Sequence, residues 1–228
     1  MTSLIRVVLN CPVCETGFAT QRIASTNSVG QDTDFRPLTA GIDPQPHYVH
    51  VCPKCNFAAF EGDFGAVQDA VKQMVLGPEY TPLDLIGPED IASIRGSTKY
   101  LLAVRCYSRD DRASDLRLAD LYLRASWCAR QEDDLTRERE AQTNSILLFE
   151  KALENGEVAE NQLRTIMYLL GELYRRIGRH ELAISMFDKA EQAPDTAEGE
   201  PRFVGLIERQ RAAARARRTT NMQIEDIA

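Results

Sequence analysis

The sequence predicts a mainly α-helical fold with a small β-rich part at its N-terminus, and three observations support this prediction. Turn-forming residues and short alternating stretches fill the chain as far as about residue 60. Beyond that point, apolar residues recur at the spacing of helical turns. No proline occurs between Pro88 and Pro194, so this region can form uninterrupted helices.

Composition and charge narrow the class of protein. The chain has 228 residues, of which 43% are hydrophobic, and this is enough to bury a substantial core. Its 27 Lys and Arg residues against 34 Asp and Glu residues give a net charge of −7, which disfavours non-specific binding to duplex DNA. No apolar run approaches the ~20 residues that span a bilayer, and the first ten residues are too weakly apolar for a signal peptide. We therefore expect a cytoplasmic protein with reduced thiols and no membrane partner.

The local elements can be taken in chain order. The runs Gly17–Ala24 and Tyr48–Val51 read as short strands beside turns. A first helix is predicted to end at Gly77-Pro78, because four apolar residues before that pair share one helical stripe. These residues are Phe64, Val67, Val71 and Met74. A connector from Gly77 to Gly87 follows, and Pro88 is predicted to open another short helix, since the first helical position needs no N–H donor.

The cysteines give the strongest chemical signal. Cys11-Pro12-Val13-Cys14 and Cys52-Pro53-Lys54-Cys55 form two CPxC knuckles that are separated by 37 residues. A CxxC turn directs both sulfurs to one centre, so two such turns supply four thiolates in a closed tetrahedral site. The pattern predicts a structural zinc site formed by Cys11, Cys14, Cys52 and Cys55, within a zinc-ribbon-like domain. Iron in a similar four-sulfur site stays open as an alternative.

Other readings of the cysteines and nearby histidines are weaker. Disulfides are disfavoured in a reducing compartment, and a thioredoxin-like redox site needs a single CxxC that opens a helix. His47 and His50 precede the second knuckle, but four cysteines already complete the site, so we expect these histidines to be strand residues. Cys106 and Cys128 lie on apolar helical faces, where a free cysteine packs as a small hydrophobe.

The region Arg164–Asp195 has the pattern of a tetratricopeptide repeat, in which small residues let two antiparallel helices approach closely. Gly178 fits the left-handed position after the first helix. The matching positions are Leu170-Gly171, Tyr174, Ala183, Phe187, Ala190 and Pro194. A generic helical hairpin is the simpler alternative.

A looser copy of this pattern lies upstream. A helix is predicted over Ser114–Arg130, and a polar turn at Gln131–Asp134 separates it from a second helix that contains Phe149. Downstream, Pro201 is predicted to begin a terminal helix with an apolar first half and a polar second half. Such a helix would cap a short helical array. We expect four segments: a zinc-ribbon-like metal-binding domain over residues 1–64, connecting helices over 65–113, a tetratricopeptide-like domain over 114–218 and a flexible tail over 219–228.

Both halves of the chain resemble one family. The paired knuckles flank Asp32-Thr33-Asp34-Phe35, the run Pro46-His47-Tyr48 leads into the second knuckle, and the helical part contains Leu118-Ala119-Asp120-Leu121-Tyr122-Leu123-Arg124-Ala125-Ser126-Trp127. In this order the motifs resemble the bacterial domain of unknown function 2225, over about residues 11–190. The resemblance implies an N-terminal metal-binding part and a tetratricopeptide-like remainder, and it implies no reaction. Knuckles of this family often have Gly after the second Cys, so Glu15 and Asn56 are expected to alter the turn geometry without removing a ligand.

These observations favour a non-catalytic, zinc-binding scaffold for protein interactions. Its partner would be a protein or peptide, held by the inner helices of the array, and we expect Arg164 and Arg175 to contribute to that surface. The chain contains none of the nucleophile-elbow, P-loop, dinucleotide-binding or zinc-protease motifs, and this disfavours an enzyme. Asp32 and Asp34 with Arg36 form a charged cluster, which we interpret as turn formers and surface ion pairs.

Two further hypotheses remain. Residues 201–228 carry six arginines and a net charge of +3, so the terminal helix could bind nucleic acid. The simpler interpretation is that this helix exposes a solvated basic face that is attracted to the acidic body. The knuckles could also act as a redox or zinc sensor. The six arginines are Arg202, Arg209, Arg211, Arg215, Arg217 and Arg218.

Overall fold

The computed structural model describes residues 2–78, 80, 94–111, 113–194 and 201–224. Within these residues the protein is mainly α-helical, and its strands form only small two-stranded sheets in the N-terminal part. The predicted fold class is therefore confirmed. The predictions for Pro88 and for most of the connector concern residues 81–93, which lie outside the described residues. Asp195, the last residue of the predicted repeat, also lies outside them.

Six strands form three antiparallel pairs, in which each strand pairs with its neighbour in the chain. The strands are β1 (Ser3–Asn10), β2 (Gly17–Ser25), β3 (Ser28–Gln31), β4 (Pro37–Thr39), β5 (Val49–Val51) and β6 (Ala58–Phe60). Both predicted strands are present, as β2 and β5. Short 3-10 helices occupy Gln45–His47, Glu61–Phe64 and Glu160–Gln162.

Seven α-helices follow in the described part of the chain. They are α1 (Asp69–Leu76), α2 (Gly96–Tyr107), α3 (Asp115–Gln131), α4 (Leu135–Glu154), α5 (Leu163–Arg176), α6 (His180–Gln192) and α7 (Pro201–Arg215). Local signals set several boundaries: the Ser114 hydroxyl accepts a hydrogen bond from the amide of Arg117 at 3.1 Å, which caps α3. Gly178 has φ +84 after α5, the left-handed conformation predicted for it. The first predicted helix is shorter than its apolar stripe, because Phe64 lies in a separate 3-10 turn.

The helices α3 and α4 form one antiparallel hairpin, and α5 and α6 form another. In the first hairpin the Ser145 hydroxyl of α4 donates to the Ala119 carbonyl of α3 at 2.9 Å. In the second, a Cβ atom added to Gly171 would lie 2.7 Å from the ring of Phe187, so only glycine allows this approach. The terminal helix α7 begins at Pro201, as predicted, and packs on α6.

Two apolar clusters form the core, and α3 belongs to both. The first joins the N-terminal strands to α1, α2 and one side of α3, whereas the second fills the hairpins and α7. The first cluster crosses the expected boundary at residue 64, because α2 lies against β6 with the Phe60 amide donating to the Tyr107 hydroxyl at 3.1 Å. Cys106 and Cys128 are buried in this cluster, as predicted. Among the described residues, no helix has the length and apolar character to cross a bilayer.

Candidate metal centre

Each knuckle is the turn of a β hairpin. The first lies between β1 and β2, where Asn10 pairs with Gly17, and the second lies between β5 and β6, where Val51 pairs with Ala58. Antiparallel pairing brings the two ends of each turn together, so the strands fix the direction of both cysteine side chains.

The two turns have the same backbone hydrogen bonds. In the first knuckle the Cys11 amide donates to the Thr16 carbonyl at 3.0 Å, and the Glu15 amide donates to the Cys11 carbonyl at 2.9 Å. The second knuckle repeats both bonds at the equivalent residues, with distances of 2.8 and 2.9 Å. Two segments of different sequence have thus folded into one local geometry.

The residue after the second cysteine has a left-handed backbone in both turns. Glu15 and Asn56 each have φ 59. The expectation that these residues alter the turn geometry is therefore wrong, because they adopt the conformation that glycine would favour. A left-handed residue with a side chain costs about 1–2 kcal/mol. Asn tolerates this region better than Glu does, so the strain is greater at Glu15.

The structure brings the four predicted cysteines together. All four Sγ atoms lie within 4.8 Å of one another, and the Cys11–Cys55 and Cys14–Cys52 Sγ pairs are each 3.5 Å apart. Ligands ~2.3 Å from a tetrahedral metal ion are about 3.8 Å from each other, so this cluster fits such an ion. A disulfide would need ~2.05 Å between sulfurs, and all the cysteines are free.

Cys11, Cys52 and Cys55 are buried and Cys14 is partly buried, and the thiols perturb one another. Hydrogen bonds from the thiols of Cys11 and Cys55 lower the pKa of Cys52. The same contacts raise the pKa of Cys55 and of Cys11. Four thiolates at these distances would repel one another, so full deprotonation of all four sulfurs needs a cation in their midst.

The two histidines near the second knuckle are not ligands in this arrangement. His50 lies in β5 as expected, where its Nδ1 atom is 3.0 Å from the Thr20 hydroxyl, and burial lowers the pKa of its ring to about 4. His47 lies in the 3-10 helix Gln45–His47 rather than in a strand. In the part of the chain that the structure describes, no second group of three or more side chains could hold a metal ion.

A comparison with protein families is consistent with this geometry. The sequence model of one protein family, described as an uncharacterized protein conserved in bacteria (DUF2225), matches residues 4–213 of the chain. The chain belongs to DUF2225. No curated protein and no solved structure matches it. The match covers both the knuckles and the helical hairpins of this DUF2225 protein.

The acidic residues between the knuckles lie at a turn, as predicted, with the Phe35 amide donating to the Asp32 carbonyl at 2.9 Å. The prediction that they form surface ion pairs is wrong. Asp32 and Asp34 are 0% exposed. Arg130 of α3 contacts both carboxylates, at 3.0 Å from Asp32 and 2.5 Å from Asp34. Burial raises the pKa of Asp34, but the guanidinium groups of Arg176 and Arg130 outweigh burial and hold this pKa well below its usual value. Sequence reasoning missed this cluster because its partners lie about a hundred positions apart.

The two arginines predicted for a partner surface have other roles in the structure. Arg175 is 0% exposed and donates to the Glu172 carboxylate at 2.7 Å, so it is not accessible to a partner. Arg164 is half-buried and donates to the Ala193 carbonyl at 2.7 Å. These residues therefore stabilise the hairpins and their surroundings.

The basic C-terminal region lies against acidic side chains. Arg211 contacts Asp188 and Glu191 at 2.9 Å each, and Arg217 lies 3.5 Å from Glu181. These pairs agree with the interpretation that the terminal helix is attracted to the acidic body of this DUF2225 protein. Residues 219–224, which were expected to belong to a flexible tail, are hydrogen-bonded to the body.

Proposed function

We propose that this protein is a protein-interaction scaffold in which a structural Zn²⁺ ion, bound by four thiolates, stabilises the N-terminal part. The observation that carries the proposal is the closed donor set: four Sγ atoms within 4.8 Å of one another, positioned by two matching turns. A catalytic zinc site keeps one position for water or substrate, whereas four cysteines fill all four positions. When bound, the ion would supply folding free energy to a small domain.

The helical part supports the scaffold half of the proposal. The hairpin of α5 and α6 has the close approach that a tetratricopeptide-like unit requires, at Gly171 and Phe187. Stacked hairpins form a concave face, and proteins of this architecture use that face for binding. In this chain the corresponding face is formed by α3, α5 and α7, which all contact the segment between β3 and β4.

The residues of the proposed partner surface differ from those expected. Arg130, Tyr168 and Arg176 face that segment, whereas Arg175 lies behind them. The segment covers these three side chains, and Tyr168 is 0% exposed. A partner would therefore meet two guanidinium groups and a phenol only where it takes the place of the segment. This surface is suited to an acidic or hydrogen-bonding partner rather than to an apolar one.

Metal analysis of the full-length protein by native mass spectrometry tests the metal half of the proposal. One zinc ion per chain is the expected result, lost on chelation together with the native state of the N-terminal part. Iron at the same stoichiometry would support a rubredoxin-like site instead. A chain that binds no metal would refute the proposal.

Cross-linking in cells, followed by mass spectrometry, tests the scaffold half. The expected result is a set of cross-links between a second protein and residues on or beside α3, α5 and α7. A chain that cross-links to no other protein would remove the support for a scaffold. Enrichment of RNA instead, released by salt in the manner of phosphate contacts, would favour the nucleic-acid hypothesis.

A further inference from the structure

The segment between β3 and β4 is buried against the helical part of the chain. Asp32, Thr33 and Asp34 are each 0% exposed, although the turn before β3 is exposed. The long-range contacts of this segment come from α3 and α5, 98 and 135 positions further along the chain, and from the C-terminal residues. Within the segment itself, Arg36 lies 3.5 Å from Asp32. The helical part therefore holds the segment as it would hold a peptide.

Both carboxylates of the segment are bound by fixed cationic or amide groups. Arg130 donates one nitrogen to Asp32 at 3.0 Å and another to Asp34 at 2.5 Å, so one guanidinium spans the two acids. Arg176 lies 3.7 Å from Asp34, and the amide of Asn221 donates to Asp32 at 3.0 Å. A planar guanidinium that contacts two carboxylates selects their spacing as well as their charge.

The residue between the two acids is bound through its backbone and its side chain. The Thr33 amide donates to the Met222 carbonyl at 2.9 Å, and its carbonyl accepts from the Tyr168 hydroxyl at 2.8 Å. Its hydroxyl donates to the Glu172 carboxylate at 2.6 Å. Main-chain bonds of this kind, combined with pockets for the flanking side chains, are typical of peptide recognition.

The aromatic residue that follows completes the pattern. Phe35 has φ 64, and this turn directs its ring toward the helices. The ring lies 5.2 Å from that of Tyr168 and 6.2 Å from that of Phe203, between α5 and α7. These centroid distances are those of favourable aromatic pairs.

A second layer fixes the groups that make these contacts. Arg175 binds the Glu172 carboxylate with two nitrogens, each at 2.7 Å, and it donates to the carbonyls of Arg218 and Thr220 at 2.6 and 3.0 Å. Glu172 is thus oriented toward Thr33, and the C-terminal residues are held over the segment. The site is pre-organised by residues that do not touch the segment themselves.

We propose that the inner face of α3, α5 and α7 is a recognition site for a short protein segment of the form acid–x–acid–aromatic, which the chain occupies in cis with Asp32–Phe35. This inference rests on the proposed scaffold function and names its partner class. A tethered segment has an effective concentration in the millimolar range, so it excludes weaker ligands from the site. A partner with the same pattern binds when the cis segment is weakened or released.

Charge provides the reason for this choice of partner. Release of the segment leaves Arg130 and Arg176 facing solvent without the carboxylates of Asp32 and Asp34. Arg130 keeps the carboxylate of Glu138, and Arg176 keeps those of Glu138 and Glu172. An apolar ligand would therefore leave both guanidinium groups desolvated with only part of their charge compensated, which is costly. A ligand with two carboxylates at the same spacing restores every charged contact of the cis segment.

A labelled peptide with the sequence of residues 29–38 (VGQDTDFRPL) tests the proposal in trans. It is titrated against the zinc-loaded full-length protein and against the double variant Asp32→Asn/Asp34→Asn, with fluorescence anisotropy as the readout. We expect at least tenfold tighter binding to the double variant, because its own segment competes less well. A peptide in which both acids are replaced by Asn is the matched control, and it should bind at least tenfold more weakly than the acidic peptide.

The triple variant that also carries Arg130→Met should lose the gain in affinity. Zinc content and far-UV circular dichroism establish that each variant retains the metal and the helices. A folded, zinc-loaded double variant that binds the acidic peptide no better than the wild type would overturn the proposal. Equal binding of the acidic and Asn peptides would overturn it as well.

Hydrogen exchange on the unaltered protein gives a second test that needs no variant to fold. The Thr33 amide bonds to Met222 across the proposed site, whereas the Leu170 amide lies within the core helix α5. If the segment is a separable ligand, Thr33 should exchange at least a hundredfold faster than Leu170, through an opening that leaves the helices folded. Equal protection at the two amides would show that the segment leaves only on global unfolding, which would refute the inference.

These outcomes are distinct from those of the scaffold proposal. A chain with one zinc ion and cross-linked partners on another surface would retain the proposed function and lose this inference. A chain that binds the peptide but contains no metal would retain this inference and lose the metal half of the proposed function.

Discussion

The close approach of α5 and α6 can be tested at a single residue. In a Gly171→Ala variant the new Cβ would lie 2.7 Å from both Cδ1 and Cε1 of Phe187 and 3.1 Å from Cγ. Carbon atoms in contact are normally ~3.5–4.0 Å apart, so the ring must move by about 1 Å. Phe187 is fully buried, and no space is open to it without wider repacking.

The expected free-energy change has two opposing parts. Overpacking of this kind costs about 1–3 kcal/mol, whereas replacing a helical Gly by Ala gains about 1 kcal/mol of helix propensity. The sum is a destabilisation of about 0–2 kcal/mol. Gly205 in α7 is the matched control, because a Cβ added there meets nothing within 4 Å. Gly205→Ala should therefore stabilise the protein by about 1 kcal/mol.

Urea unfolding of the zinc-saturated variants, followed by circular dichroism, measures both changes. Gly205→Ala should be more stable than Gly171→Ala by about 1–3 kcal/mol, which is the overpacking term alone. The free energy of unfolding is compared at one fixed zinc concentration, since a bound metal contributes to it. If the two variants were equally stable, the helices would not approach as closely as described, and the tetratricopeptide-like packing would lose its support.

Three further predictions concern the metal centre. Metal analysis should show that Cys52→Ser loses bound zinc, whereas Cys128→Ala keeps one ion per chain. Urea unfolding should show that Cys128→Ala lowers the free energy of unfolding by about 1–2 kcal/mol, because a buried side chain loses packing contacts. Glu15→Gly should stabilise the zinc-loaded protein by about 0.5–1 kcal/mol by relieving a left-handed residue, and Glu15→Ala should give no such gain; equal effects would contradict the assigned strain. Burial raises the pKa of the Cys106 thiol to about 11, so this thiol stays protonated and unreactive at pH 8. Alkylation with iodoacetamide should therefore modify no thiol rapidly with zinc bound, whereas chelation should expose the four knuckle thiols to rapid labelling. Rapid labelling of Cys106 in the zinc-loaded protein would contradict its burial.

Local signals in the sequence were sufficient for most of the fold. Helical spacing of apolar residues predicts α3, and Ser114 caps its first turn in the structure. Gly178 predicts the end of α5 because few other residues adopt a left-handed backbone. The CPxC knuckles are also local signals, because each forms its turn from adjacent residues. The site could therefore be predicted although 37 residues separate the two knuckles. Each of these predictions depends on residues within a few positions of one another.

The buried charge cluster had no local signal. Asp34 and Arg130 are 96 positions apart, and either residue alone has the appearance of a surface charge. Arg175 was expected on the partner-binding surface of an inner helix, yet it is buried with Glu172, which lies only three positions earlier. Helical spacing shows that these two residues can pair, but it does not show that the pair is buried. The long-range fold decides that, and a single sequence does not encode it in any short pattern.

The segment Asp32–Phe35 lies between the two knuckles, so metal binding and segment docking should be coupled. A metal ion bound by both knuckles makes the 37 residues between them a closed loop. Closing a loop of this length lowers the conformational entropy of the undocked segment by the equivalent of about 4 kcal/mol. Coupling between two binding events is reciprocal, so a substitution that weakens docking of the segment should also lower the zinc affinity of the site. Asp34→Asn should lower zinc affinity by about tenfold in competition with a chelating dye, whereas Glu61→Gln, which alters an exposed ion pair with Arg22 in the same part of the chain, should leave it unchanged. Equal zinc affinity in the two variants would mean that the site and the segment fold independently.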